Sequence, residues 1–287
     1  MPGAGDGSWL ERRVIAYAHQ GGAWEGPSST LFAIRAAVAA GATGVELDVH
    51  ATADRHLVVC HDSTVDRTTD GRGAIASLTL AELRALDNAY RWAPGADVTL
   101  EEPEGGYPFR GRAPEDRAFG IATLEEVLEE LPGVVLNLDI KQTAPVVEPY
   151  EEALAALLRR FGRRDDVIVA SFLDSATAAF SAVAPEIATS AGTLAVAEFV
   201  RALRSGVGPP PVPHAALQVP VAAGDTLIVD ERFVEAAHDR GMAVHVWTIE
   251  EEEEMDRLCD LGVDGIITDR PTALVGVLDR RGASWIP

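Results

Sequence analysis

The stretch GVELDVHATADRHLVVCH, residues 44–61, decides the fold. Two apolar runs, GVELDVH (44–50) and LVVCH (57–61), lie too close together for a helix between them, and parallel neighbours need a crossover of a dozen or more residues. They therefore read as an antiparallel hairpin. A turn centred on Asp54 and Arg55, pairing 53 with 56, predicts Asp48 opposite His61.

Outward from this hairpin the chain alternates short β-rich runs with amphipathic helical stretches. The other runs are VIAYA (14–18), VVLNLDI (134–140), VIVAS (167–171), EIATS (186–190), ALQVP (216–220), AVHVWT (243–248) and DGIIT (264–268). Between them lie helical patterns such as TLFAIRAAVAAG, ending in Gly41, and DERFVEAAHDRG, ending in Gly241, each with a polar N-cap and a C-terminal glycine. Strands alternating with helices imply a parallel α/β fold. With one run used as the return arm of the hairpin, the rest make a (β/α)8 TIM barrel, a single domain over residues 1–287. Residues 88–122 fit neither barrel strand nor barrel helix and read as an insertion. Its Tyr90, Trp92, Tyr107 and Phe109 suit a lid, or a surface for an acyl chain. PPPVP (209–213) reads as a stiff loop, and Glu250–Glu254 as the solvated first turn of a helix, where carboxylates suit the dipole.

Composition narrows the partners. A chain of 287 residues, 47% of them hydrophobic, buries a large core, and its formal net charge of −21 argues against nucleic acid and anionic lipid surfaces. Cys60 and Cys259 read as free thiols. The stretch MPGAGDGSWLERR lacks the pattern of a signal peptide, and no run reaches the length of a membrane span, so a cytoplasmic location is expected.

Parallel barrel strands are buried on both faces and normally read as continuous apolar runs. Glu46 and Asp48 break that rule with a period of two, as do Asn137, Asp139 and Lys141, and His61 ends its run. Outward positions pack under the helices, so the charged set points into the barrel mouth, where active sites of this fold lie. Lys141 is the only lysine in the chain. A compact point charge, rather than a planar guanidinium, is what its place requires. A structural Lys–Asp pair is the plain alternative. Glu46, Asp48 and Asp139 would repel one another unless neutralised, and oxygen ligands suit one hard divalent cation, Mg2+ or Ca2+. His19 and His61, at strand ends beside them, suit acid and base chemistry.

This pattern resembles the glycerophosphodiester phosphodiesterase family of metal-dependent barrel enzymes. The resemblance rests on His19-Gln20-Gly21, Pro27-Ser28-Ser29-Thr30, the run GVELDVHATADRHLVVCHDSTVDRTTDG, Asn137-Leu138-Asp139-Ile140-Lys141, and VHVWT followed by LGVDGIITDRP. It implies that Glu46, Asp48 and Asp139 hold the cation and that His19 and His61 are general base and acid. It also implies that Lys141 holds the phosphate and that Trp247 lines the alcohol side of a small glycerophosphodiester substrate. In many members the glycerol hydroxyl beside the phosphate attacks first, giving a cyclic phosphate that water opens. The chain departs from the family where Gln20 replaces a usual Arg and Ser28 and Ser29 replace Glu and Asn. A neutral amide at Gln20 gives up a charge-assisted grip on phosphate, at a cost of about 1.5–3 kcal/mol. Glu25 and Arg67 are candidates to restore the lost carboxylate and cation. Asp139 stands where Glu is usual, shortening the reach to the cation by one methylene. The competing expectations are a lysophospholipase D or cyclising phospholipid lyase, a phosphodiester-binding pseudoenzyme, and a sugar-processing barrel that needs neither metal nor Lys141.

Overall fold

A computed structural model describes residues 9–210 and 212–285; residues 1–8 of the N-terminal stretch and Pro211 of the proline-rich loop lie outside the described residues. The strands are β1 (Ile15–His19), β2 (Gly44–Ala51), β3 (Leu57–Val59), β4 (Val135–Ile140), β5 (Val167–Ala170), β6 (Ala188–Thr189), β7 (Ala216–Pro220), β8 (Ala222–Ala223), β9 (Thr226–Leu227), β10 (Ala243–Trp247) and β11 (Gly265–Thr268). The helices are α1 (Leu31–Ala39), α2 (Leu80–Leu83), α3 (Leu124–Glu130), α4 (Glu151–Arg160), α5 (Asp174–Val183), α6 (Thr193–Arg204), α7 (Glu231–His238), α8 (Glu252–Leu261) and α9 (Pro271–Arg281).

Eight strands pair in parallel in the order β6-β5-β4-β2-β1-β11-β10-β7, and a single bridge between Ser190 and Ala216 joins the two ends. The barrel is thus nearly closed, as the alternation predicts. β3 folds back antiparallel on β2, off this ring.

The hairpin register differs from the expectation by one residue. Val49 pairs with Val59, and the Cys60 N–H donates to the Asp48 carbonyl, so Asp48 faces Cys60 rather than His61. The reason lies in the turn: Thr52 N–H donates to His56 O, leaving three residues in the loop, and Arg55 takes the left-handed conformation at φ 69° that such loops require.

Apolar side chains of β2 and β4, such as Val45, Leu47, Leu136 and Leu138, point outward under α1, α3, α4 and α5. The opposite half packs β7, β10 and β11 under α7, α8 and α9. Thr30 and Asp230 cap α1 and α7 through their side chains, as read from the sequence. Inside, Tyr17, Ile168 and Ile267 fill the lower barrel above Trp9. Gly44 and Gly265 make room for the Tyr17 ring, since a Cβ on either would come within 3 Å of it. Cys60 and Cys259 are free. Among the described residues no helix is long and apolar enough to cross a membrane.

The insertion behaves differently from the lid expected of it. Phe109 stacks on Trp92, and both Phe109 and Phe119 pack on Phe32 of α1. Trp92 Nε1 donates to Ala23 O, Gly95 N–H to Trp24 O, and Asn88 Nδ2 to Ser28 O. Trp92, Phe109 and Phe119 are consumed by one another and by α1, Tyr90 and Tyr107 hold the Arg110 guanidinium between them, and the segment buttresses the loop after β1.

Candidate active site

At the C-terminal end of the barrel, β1 finishes on His19 and the chain reverses at once: Gly22 N–H donates to His19 O at 2.7 Å. Gln20 (φ 51°), Gly21 (φ 86°) and Gly22 (φ 92°) are all left-handed, and a Cβ on Gly22 would sit 2.7 Å from Pro271. Only glycine takes that place without strain. The reversal places the Gln20 N–H 3.3 Å from Glu46 Oε2.

His19 Nδ1 lies 2.6 Å from Asp269 Oδ1, at the end of β11, and its Nε2 lies 3.8 Å from Glu46 Oε2. Burial alone would push this imidazole down, but the Asp269 hydrogen bond and the charges of Glu46, Asp269 and Asp48 outweigh it and hold the pKa up at about 9. His61 is built the same way, with Nδ1 2.7 Å from Asp62 Oδ1. Arg67 grips Asp62 through Nε at 2.6 Å and also pairs with Asp97 of the insertion. Burial opposes ionisation of Asp62, yet the bonds from Arg67 and His61 keep its pKa below the usual carboxylate range. The two imidazoles stand 6.5 Å apart between centroids, with their planes at 81°.

Between them the registers of β2 and β4 set Glu46 beside Asn137 and Asp48 beside Asp139, all on the inner face. Lys141 Nζ reaches back to Asp48 Oδ1 at 3.0 Å and Asp139 Oδ2 at 3.4 Å. Burial, reinforced by the Asp48 charge, raises both Glu46 and Asp139, while Lys141 is held protonated by Asp48 and Asp139 against its own burial. The cluster is short of positive charge. Asp48 Oδ2 and Asp139 Oδ1 are buried without a hydrogen-bond partner. As the side chains stand, Lys141 fills the space between two of the carboxylates, and among the described residues no three His, Cys, Asp or Glu side chains are arranged to hold a metal ion. The two orphaned oxygens and the raised carboxylates nonetheless fit a hard divalent cation that would take over the neutralising role.

These groups line one cavity of about 900 Å3, which holds His19, Glu46, Asp48, His61, Asp139 and Lys141 at one end. Trp247 lines it too, edge-on to Phe172 at 5.5 Å between centroids. No residue of 88–122 does. Gln20 is buried beside His19, its Nε2 3.2 Å from His19 Nε2 and its Oε1 without a partner. The amide meets either state of the ring, as a donor to the neutral form or, flipped, as an acceptor from the protonated one. Glu25 supplies no carboxylate here: it accepts from Thr272 N–H and Oγ1 at the start of α9. Arg67 acts on His61 through Asp62. Asp62, Asp269 and Phe172 were not singled out by sequence reasoning. Asp62 and Asp269 each follow a strand end at the barrel mouth, a position that was the available signal.

The sequence matches the Glycerophosphoryl diester phosphodiesterase family over residues 19–273. A glycerophosphodiester phosphodiesterase of Caldanaerobacter subterraneus is 30% identical over 275 residues, covering 94% of this chain and 100% of that one. One from Bacillus subtilis is 28% identical, covering 90% and 84%. Among solved structures, the glycerophosphoryl diester phosphodiesterase domain of a Mycobacterium tuberculosis protein superposes with a TM-score of 0.77 at 23% identity, covering 93% of this chain and 99% of that one. An Oleispira antarctica phosphodiesterase in complex with the product sn-glycerol-3-phosphate gives 0.66 at 24% identity, covering 95% and 99%. The two structures share the barrel. With a match that runs from the first site histidine past Asp269, and a relative covered from end to end, this chain belongs to the glycerophosphoryl diester phosphodiesterase family and is a phosphoric diester hydrolase.

Proposed function

We propose that the chain hydrolyses glycerophosphodiesters to an alcohol and glycerol 3-phosphate, with His19 and His61 as the proton-transfer pair and one divalent cation, Mg2+ or Ca2+, held by Glu46, Asp48 and Asp139. The observation that carries this is the pairing of two carboxylate-backed imidazoles across a buried, charge-deficient carboxylate cluster. The product named for the Oleispira structure supports the substrate class.

Lys141 and Gln20 bind the phosphoryl oxygens, the first as a point charge and the second through its amide. When bound, the cation would supply charge stabilisation to the phosphoryl oxygens and lower the pKa of the attacking group. His61, with Nδ1 tied to Asp62, takes the proton of the attacking hydroxyl at Nε2. His19, held protonated by Asp269 and so cast as the acid rather than the base named first for it, gives its Nε2 proton to the leaving alkoxide. Trp247 covers the alcohol side and keeps water from the leaving group.

Phosphorus NMR of glycerophosphocholine with the purified protein tests this. Glycerol phosphate should form with Mg2+ or Ca2+ and stop with chelator. His61→Ala should lower kcat by about 10²- to 10⁴-fold, the usual worth of a general acid or base. A transient cyclic phosphate would place the glycerol hydroxyl, rather than water, as first nucleophile. Turnover that survives chelator, or the His61 substitution, would overturn the assignment.

A further inference from the structure

The cavity does not end at the phosphate site. From Phe172 and Trp247 it continues between α6, the β7 end and the β8–β9 hairpin, past Val196, Ala197, Val200, Val219 and Ile228. Its volume of about 900 Å3 lies at the upper end of the ~300–1,000 Å3 range of small-molecule pockets, more than a compact glycerol diester fills. α6 accounts for the shape. Residues 193, 196, 197, 200, 201 and 204 recur at helical spacing and all line the cavity, while Phe199 and Ala202 on another side of the helix are buried in the core. The apolar stripe of a barrel helix normally faces the strands. Here Val196, Ala197 and Val200 face an open channel, whose far end is tied by Arg204 donating to Leu227 O at 2.6 Å.

The apolar wall starts beside the phosphate-binding end, with the Phe172 ring centroid 5.8 Å from Lys141 Nζ. Phe172 is 55% exposed, Leu194 at the start of α6 74%, and Leu227 of the hairpin 50%. Phe172 lines the cavity itself, whereas Leu194 and Leu227 add exposed apolar surface on the elements that flank it. Most of the surface along this path is apolar, with Arg201 and Arg204 of α6 the charged side chains on its lining.

Resting on the phosphodiesterase reading of the site, we propose that the channel along α6 is a subsite for a single aliphatic chain, and that the substrate is a phosphodiester carrying such a chain on one arm. Hydrolysis then adds water across one P–O bond: oxygen bonds to phosphorus, the bond to the leaving alcohol breaks, and the alcohol departs with a proton from His19. The chain sits on either the glycerol or the alcohol arm, and both present the same chemistry to the channel.

The test compares kcat/KM for glycerophosphocholine with hexanoyl, octanoyl and decanoyl lysophosphatidylcholine, and in parallel with glycerol 3-phosphate esters of hexanol, octanol and decanol, all below micelle-forming concentrations. In one series kcat/KM should climb with chain length, by up to about fourfold per buried methylene. Ala197→Trp and Val200→Glu, which obstruct the channel away from the phosphate site, should flatten the climb and leave glycerophosphocholine turnover unchanged. The exposed Ala197 position guards against a folding defect at Val200. Flat series, or a climb that both substitutions leave intact, would overturn the subsite. Calorimetric binding of dodecylphosphocholine against phosphocholine separates this from the catalytic reading. A chain-dependent gain abolished by Ala197→Trp upholds the channel even if no diester is cleaved, and equal binding of the two sinks it.

Discussion

His19 and His61 are each held through Nδ1 by a carboxylate, Asp269 and Asp62, which orients the ring; in the proposed reaction Nε2 of each serves the reacting oxygens, at His19 in exchange for the Gln20 amide 3.2 Å away. Glu46 and Asp48 add negative charge around His19, so its raised pKa of about 9 makes it a proton donor at neutral pH. Removing the Asp269 charge lowers that pKa, and an acid is lost sooner as pH rises. Asp269→Asn should therefore move the alkaline limb of the kcat/KM profile to lower pH, with a loss in kcat smaller than that of His19→Ala. An unmoved limb would assign His19 another role. Lys141 obeys a similar logic: its ammonium, a compact point charge, sits between Asp48 and Asp139 and reaches an oxygen of each.

At the scale of elements, the loop after β1 is wedged between α1, α9 and the insertion. Gly22 packs on Pro271, the first residue of α9, and takes φ 92°. Gly22→Ala should destabilise the fold by about 1–3 kcal/mol in denaturant unfolding, from strain and the clash together, and should lower kcat as His19 shifts. Full stability would show that the loop can relax. What was legible in the sequence follows the same division. Glu46, Asp48, Asp139 and Lys141 stood out because they interrupt strands that a parallel barrel otherwise keeps apolar, and the structure brings all four to one inner face. The hairpin was legible from its short connection, but its register was not, because the left-handed Arg55 spends a residue that the pattern does not reveal. Asp62 and Asp269 lie in loops with no period to betray them, and Arg67, legible as a candidate cation, reaches the site only through Asp62. The α6 channel is assembled from elements far apart in sequence, and the aromatic insertion, which drew attention as a substrate cover, spends its rings on its own packing.

For the molecule as a whole, the barrel interior below the site is polar as well as apolar. Asn137 and Gln218 exchange hydrogen bonds, and Gln218 Nε2 lies 3.3 Å from Nδ1 of the fully buried His245. Burial lowers the His245 pKa to about 4, against a small opposing pull from Asp264. A depressed value means that the unfolded chain binds the proton first. Stability from this group is present above the unfolded pKa of about 6.5 and is lost as pH falls toward 4, by about 3 kcal/mol in all. The difference in unfolding free energy between the parent and His245→Gln should shrink by that order between pH 7 and pH 4, and a pH-independent difference would mean that the ring is hydrated. The ring of strands itself is uneven: β2 and β4 share six register pairs, whereas β6 and β7 meet at the Ser190–Ala216 bridge, where Ala215 N–H donates to Thr189 O and Ala191 N–H to Ala216 O. A cylinder fastened by one link has a preferred line of fracture. Amide exchange should breach it there first, with Ala191 and Ala215, whose N–H groups donate across the seam, deuterating well ahead of Leu138. Because Ser190, Ala191 and Gly192 also border the channel along α6, whatever occupies that channel would act as a clasp and slow the exchange.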